Sequence, residues 1–295
     1  MSKILQWSTG LNGYKKLTLD NNHFTTELTE CQFEPGRSVD DIFYDHLVNR
    51  PNSPVELLYS GGLDSELVLM SLLRNKIPVE VMTLVVTIKG AILNVIDLYY
   101  SEKFCRENNI KQNLFYFDAI DFFESEKYLE YLLPLKITEP HVASHLWLIE
   151  QCHNYPIIGG DWPWLQIEKK VLSPFKLAFS SYERFMSLKG INGIGNMISH
   201  SFQSSYYFIE QHIKEHEDGN NNFHTVPFLK YKMYGVNEPR IKSYGWEDCP
   251  KQLFNINTYK TELLNKLGTP ESNIIWGEQL SNLIGSSITS NNLFI

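Results

Sequence analysis

The residues best suited to chemistry in this sequence are two adjacent glycines set between hydroxyls, with an acid close behind: Ser60-Gly61-Gly62-Leu63-Asp64-Ser65. Before them Val55, Leu57, Leu58 and Tyr59 read as a short buried strand; after them Leu67, Val68, Met70, Leu72 and Leu73 recur at helical spacing. Strand, tight glycine loop and helix start together aim backbone N–H groups and the positive end of a helix dipole at one point. A phosphate is the natural occupant. Gly61 and Gly62 let the backbone take φ > 0 and approach the anion closely. Ser60 and Ser65 can donate to phosphate oxygens, and Ser65 or Asp64 can cap the helix. A carboxylate beside a polyanion needs a cation between them, so Asp64 implies Mg²⁺, which bridges carboxylate and phosphate oxygens. The loop lacks the Gly-Lys-Ser/Thr ending of a Walker motif.

The six residues resemble the SGGxDS pyrophosphate loop of the N-type ATP pyrophosphatases, a superfamily that includes asparagine synthetase and NAD synthetase. A second stretch, Ile157-Ile158-Gly159-Gly160-Asp161-Trp162, is similar to the Gly-Gly-acid turn expected at the end of that superfamily's fourth strand, in a form one residue shorter than in asparagine synthetases. The resemblance implies that Gly159 and Gly160 contact adenine through their backbone and that Asp161 is a second carboxylate facing the metal. Two carboxylates at adjacent strand ends can hold Mg²⁺ against a pyrophosphate; the alternative is that Asp161 only caps the next segment. By the same resemblance Leu58 and Val85 or Val86 meet adenine through backbone groups. Thr225-Val226-Pro227-Phe228-Leu229, followed by Pro239-Arg240-Ile241-Lys242, is similar to the C-terminal part of asparagine synthetases. It implies that Lys242, with Arg240 beside it, is the cation at the α-phosphate. Adenylation needs such a cation, because charge builds on the α-phosphate and on the leaving pyrophosphate.

Other chemically capable residues read more plainly. His141 and His145 stand four apart on an expected helix, a spacing able to bind metal. Without a third ligand the simpler reading has His141 or Ser144 at a helix start facing the pocket and His145 as a satisfied side chain. Cys152 and His153 read as core and helix-end residues. Trp162, Trp164, Phe175 and Phe179 read as core, or as a stacking wall for an aromatic substrate.

The elements that must position these groups follow from periodicity. Ile4–Trp7, Leu17–Leu19 and Phe24–Leu28 alternate as small hairpins, and a helix starts at Ser38, with Asp41 in a capping-box-like role, and runs to Leu47. From Val79 strand and helix alternate: Val79–Thr87, helix Asn94–Asn108, strand Asn113–Asp118, helix Phe122–Leu133 halted by Pro134, helix Pro140–His153, strand Tyr155–Gly159. That alternation marks an α/β fold with a doubly wound parallel sheet, whose ligands sit at the carboxyl ends of the strands. Phe175–Leu188, Asn196–Glu215, Asn257–Leu267 and Ser272–Leu283 carry helical spacing, and Glu215–Asn222 an exposed turn. The expected division is a β-hairpin extension over 1–50, an ATP-binding domain over 51–170 and a mostly helical substrate or lid region over 171–295.

The formal charge of −8 gives no general attraction to nucleic acid. Four scattered cysteines without a CxxC argue against a disulfide framework or zinc ribbon and suit a reducing cytoplasm; no signal peptide or membrane span is expected. The resemblance thus implies an ATP- and Mg²⁺-dependent, AMP-forming ligase. It would adenylate a carboxyl or amide oxygen and pass the product to ammonia or an amine. Only about 54 residues precede the loop region, far too few for a glutaminase domain. The alternatives are a nucleobase- or tRNA-modifying ligase of the same superfamily, and a nucleotide-binding regulator without turnover.

Overall fold

The computed structural model describes residues 3–8, 14–20, 23–28, 34–48, 50–160, 165–166, 171–172, 181–201, 203–205, 207–208, 211, 230, 234–235, 246, 253–267 and 272–276. The chain opens with an antiparallel meander of β1 (Lys3–Ser8), β2 (Tyr14–Asp20) and β3 (His23–Leu28). Helix α1 (Val39–His46) starts as its sequence demands: Ser38 Oγ accepts from the Asp41 N–H at 3.2 Å and donates to the Asp41 carboxylate at 2.7 Å. Ser38→Ala is expected to cost about 1 kcal/mol, read as a lower midpoint in urea unfolding.

The central unit then runs β4 (Val55–Leu58), α2 (Leu63–Arg74), β5 (Val79–Ile88), β6 (Ala91–Ile92), α3 (Val95–Glu107), β7 (Gln112–Asp118), α4 (Ala119–Glu124), α5 (Lys127–Leu132), α6 (Val142–Glu150) and β8 (Tyr155–Ile158). Strands β7, β5, β4 and β8 lie side by side in that order and all pair in parallel; the short β6 adds an antiparallel edge to the end of β5. The first strand therefore sits between the second and the fourth, so chain direction across the sheet reverses between β4 and β8. Crossovers of the usual right-handed kind then place helices on both faces. This is the expected α/β, doubly wound architecture, and its ligand crevice belongs at that reversal. Val55, Leu57, Val81, Val85 and Ile157 are fully buried, as strands covered on both faces require.

Beyond β8 come a two-residue ladder of β9 (Leu165–Gln166) and β10 (Val171–Leu172), helices α7 (Ser181–Lys189) and α8 (Ile256–Lys266), and strand β11 (Ser272–Trp276). Phe123, Tyr128, Phe254 and Tyr259 interlock as aromatic pairs, and Tyr128 donates to Glu262 at 2.8 Å, which fastens α8 to α5.

Three expectations need correcting. The single helix Phe122–Leu133 is two, because Glu126 adopts a left-handed conformation (φ 58°) and breaks the run before a 3₁₀ turn at Leu133–Leu135. The stretch from Ser272, read as helix, opens as strand β11, which pairs in parallel with β3. Its Ile274-Ile275 pair suits a strand, and the open edge of the meander decides between the two. Asn196–Ser201 likewise turns rather than forming helix. Trp162, Trp164, Phe175, Phe179 and the 215–222 turn lie outside the described residues.

Candidate active site

The glycine loop leaves the sheet from an anchored point. Tyr59 N–H donates to the Met82 carbonyl at 3.0 Å, Thr83 Oγ1 donates to the Tyr59 carbonyl at 3.0 Å, and the buried Tyr59 hydroxyl donates to Glu66 at 2.7 Å. Gly61 follows at φ +87°, and a Cβ there would lie 2.1 Å from the Asp97 carbonyl oxygen. Gly62 occupies the N-cap of α2, its N–H donating to Ser60 Oγ at 3.3 Å, while Ser65 Oγ donates to the Gly62 carbonyl at 3.0 Å. Neither Ser65 nor Asp64 caps the helix, contrary to expectation: both stand inside its first turn, and the N-cap residue Gly62 makes no side-chain capping bond. A glycine at the cap leaves the first-turn N–H groups uncovered by any side-chain oxygen from that position, which is the arrangement an anion uses.

The second glycine pair closes on the first. A Cβ on Gly159 would come within 2.9 Å of Ser65 Cα, so the end of β8 rests on the start of α2. Gly160, at φ +86°, leaves room for the Asn196 side chain, which would otherwise lie 1.9 Å from a Cβ. Asn196 arrives on a segment that extends the sheet: Ile194 bridges Ile157, and Met197 and Ile198 donate to the Ile158 and Gly159 carbonyls.

Between these strand ends lies a cleft of about 560 Å³. Leu58, Ser60, Gly62, Asp64, Ser65, Gly159 and Gly160 all line it, so seven of the residues expected from sequence meet at one wall. Gly61 lies behind that wall, packed on α3. Val86 is buried and does not line the cleft; its N–H donates to Asn94 Oδ1 at 2.9 Å and its carbonyl accepts from Leu93 at 2.8 Å. Asp161, Arg240 and Lys242 lie outside the described residues.

The acid of the loop is held on both oxygens. Lys230 Nζ lies 2.6 Å from Asp64 Oδ2, and the Tyr234 hydroxyl donates to Asp64 Oδ1 at 2.8 Å. Lys230 and Tyr234, each on helical backbone, thus meet the same carboxylate. This half-buried pair brings a cation and an acid to the mouth of the glycine loop.

His141 and His145 reach the same cleft from the start of α6, and His145 Nδ1 is 2.9 Å from the Tyr182 hydroxyl. Ser144 is buried and donates to the His141 carbonyl. Among the described residues no three His, Cys, Asp or Glu side chains group to hold a metal. Cys105 and Cys152 are free thiols; burial pushes Cys105 up to about 11, so it stays protonated and unreactive at neutral pH. No helix among the described residues is long and apolar enough to cross a membrane.

No protein-family model matches the sequence, and no curated protein matches it. Solved structures do. A predicted subunit of tRNA methyltransferase from Methanocaldococcus jannaschii matches at TM-score 0.34 and 15% identity, over 54% of this chain and 74% of that one. The U34-tRNA thiolase NcsA from Methanococcus maripaludis, solved with its [4Fe-4S] cluster, matches at TM-score 0.33 and 12% identity, over 78% and 80%. The glutamine-dependent NAD+ synthetase from Acinetobacter baumannii, in complex with ADP, matches at TM-score 0.33 and 12% identity; the match covers 96% of this chain but 51% of the synthetase. Overlap this slight assigns no activity.

Lys230, Tyr234, Asn94, Asp97 and Asn196 are cleft or loop residues that sequence reasoning missed. Lys230 had a signal, since it directly follows the Val226–Leu229 segment singled out in the sequence. Asn94 and Asp97 had only their place after the second strand, at the start of α3, where a doubly wound sheet meets its ligand.

Proposed function

We propose that this chain is an ATP-dependent synthetase that releases AMP and pyrophosphate. A carboxyl or amide oxygen of the acceptor attacks the α-phosphorus, the bond to the bridging oxygen breaks, and pyrophosphate leaves. A nitrogen nucleophile, ammonia or an amine, then attacks the activated carbon, and AMP leaves with the acceptor's oxygen. The chemistry parallels that of asparagine synthetase. One observation carries the reading: a hydroxyl-flanked glycine loop enters an N-terminus without a side-chain cap at the sheet's reversal point, beside a cleft-facing acid paired with a lysine.

Each residue has a task in that reaction. Ser60, Ser65 and the first-turn N–H groups of α2 grip the departing pyrophosphate. Leu58, Met82 and Leu84 offer the apolar wall for adenine, and Gly159 and Gly160 keep the second strand end low enough for close approach. Magnesium fits this wall only together with phosphate. Asp64 is one carboxylate, and Mg²⁺ is commonly completed by phosphate oxygens and water around one or two acids. Asp64, with Asp161 by resemblance, would hold it, and the ion would supply charge neutralisation on the triphosphate. Lys230 stands at the loop as a compact cation; Lys242 and Arg240 are assigned to the α-phosphate by resemblance.

Incubation with ATP labelled at the α-phosphate, Mg²⁺, ammonia and a panel of carboxylic and amide acceptors tests the reading. AMP and pyrophosphate are expected in equal amounts. ADP with phosphate would overturn it, and nucleotide binding without pyrophosphate across the whole panel would mark a regulator instead. Lys230→Met is expected to slow pyrophosphate release by roughly 10²-fold with the fold intact, checked by initial rates and a thermal melt.

A further inference from the structure

The edge of β5 that faces the crevice carries a second recognition device. On that edge the Pro78 and Met82 carbonyls accept from Val55 and Tyr59, so every second residue of β5 points its polar backbone groups toward β4. Strand β4 ends at Leu58 and the chain turns away at Ser60, so the next groups on this edge, the Leu84 carbonyl and the Val86 N–H, have no strand to meet. The Asn94 side chain meets them instead. Its Nδ2 donates to the Leu84 carbonyl at 2.7 Å and its Oδ1 accepts from the Val86 N–H at 2.9 Å. Both partners are backbone groups of fixed polarity, so the amide can face only one way.

Asn94 is also the N-cap residue of α3, yet it makes no capping bond to its own helix. Asparagine is among the preferred caps, and its oxygen ordinarily accepts from the second or third N–H of the helix. The side chain therefore has two seats within reach, the strand edge it occupies and the helix start it leaves. A carboxamide presents an N–H donor beside an oxygen acceptor; the amino edge of adenine presents an N–H donor beside a ring-nitrogen acceptor. Leu58, Met82, Leu84 and Asn94 line the cleft at this point, one strand over from the glycine loop.

We propose, resting on the nucleotide reading above, that the Asn94 carboxamide is a built-in stand-in for the nucleobase. It satisfies the Leu84 carbonyl and Val86 N–H when no nucleotide is bound, and the base takes those two groups by exchange. The released amide turns back to cap α3, whose Asp97 carbonyl packs on Gly61 of the loop. Base binding is thereby linked to the helix that backs the phosphate site.

The test compares wild type, Asn94→Ala and Asn94→Ser by calorimetry against Mg-ATP and against tripolyphosphate, a base-free probe of the loop. Serine keeps a capping hydroxyl but is too short to reach β5, so it carries the test should the alanine variant not fold. Both variants are expected to bind ATP roughly tenfold more tightly, since about two hydrogen bonds no longer compete with the base, while tripolyphosphate affinity stays unchanged. Unchanged or weaker ATP binding in both variants, with tripolyphosphate still bound, would overturn the exchange and leave the nucleotide reading standing. Tripolyphosphate and ATP both failing to bind any of the three proteins would remove that reading and the exchange with it.

Discussion

Asp64→Asn is expected to lower ATP-dependent pyrophosphate release by about 10³-fold. The substitution keeps the shape of the side chain and an acceptor for the Tyr234 hydroxyl, but it removes the charge that Lys230 Nζ meets at 2.6 Å. A half-buried lysine then loses that counter-charge, and the proposed Mg²⁺–nucleotide complex would lose its carboxylate. The loop itself does not depend on that acid: it is shaped by Tyr59, Thr83, Ser60 and Ser65 through bonds that Asp64 does not share. Stability is therefore expected to fall by only about 1–3 kcal/mol. Initial rates of pyrophosphate release, with a urea unfolding curve beside them, measure both numbers. Turnover at the wild-type rate would remove Asp64 from the metal site.

Gly61→Ala is expected to damage fold and site together. At φ +87° any side chain strains the backbone, at roughly 1–3 kcal/mol. The new methyl would also lie 2.1 Å from the Asp97 carbonyl oxygen, a backbone atom inside α3 that cannot swing aside. Either the loop or the start of α3 must move, and nucleotide binding goes with it. Gly36 separates the two costs. It sits at φ +81° with nothing within 4 Å of the place a methyl would take, so Gly36→Ala carries strain without a clash. Unfolding midpoints for both variants, with ATP titrations, give the comparison: equal losses would mean that Gly61 matters only for its backbone angle.

Local chemistry made the loop readable in advance. A strand of 4 residues, two glycines and a helix of 12 specify one another within a single stretch, and the structure assembles them where a doubly wound sheet binds its ligand. Gly159 and Gly160 were legible for the same reason. What escaped depends on contacts between distant parts of the chain. Nothing next to Lys230 or Tyr234 in sequence announces that they converge on Asp64, and nothing near Asn94 announces that its amide serves a neighbouring strand rather than its own helix. Ser272–Trp276 failed in the same way, since an apolar run that fits a helix became a strand once β3 offered an edge.

That last pairing sets an order of events during synthesis. Phe24 aligns with Ser272 and Leu28 with Trp276, so the ribosome must deliver the chain as far as Trp276 before the meander finds its fourth strand. The central parallel sheet, complete by Ile158 with its neighbouring segment at Ile194, can assemble long before. Such far-apart contacts slow the final stage of folding, and the bare margin of β3 is the part of the nascent chain that most needs protection from its neighbours meanwhile.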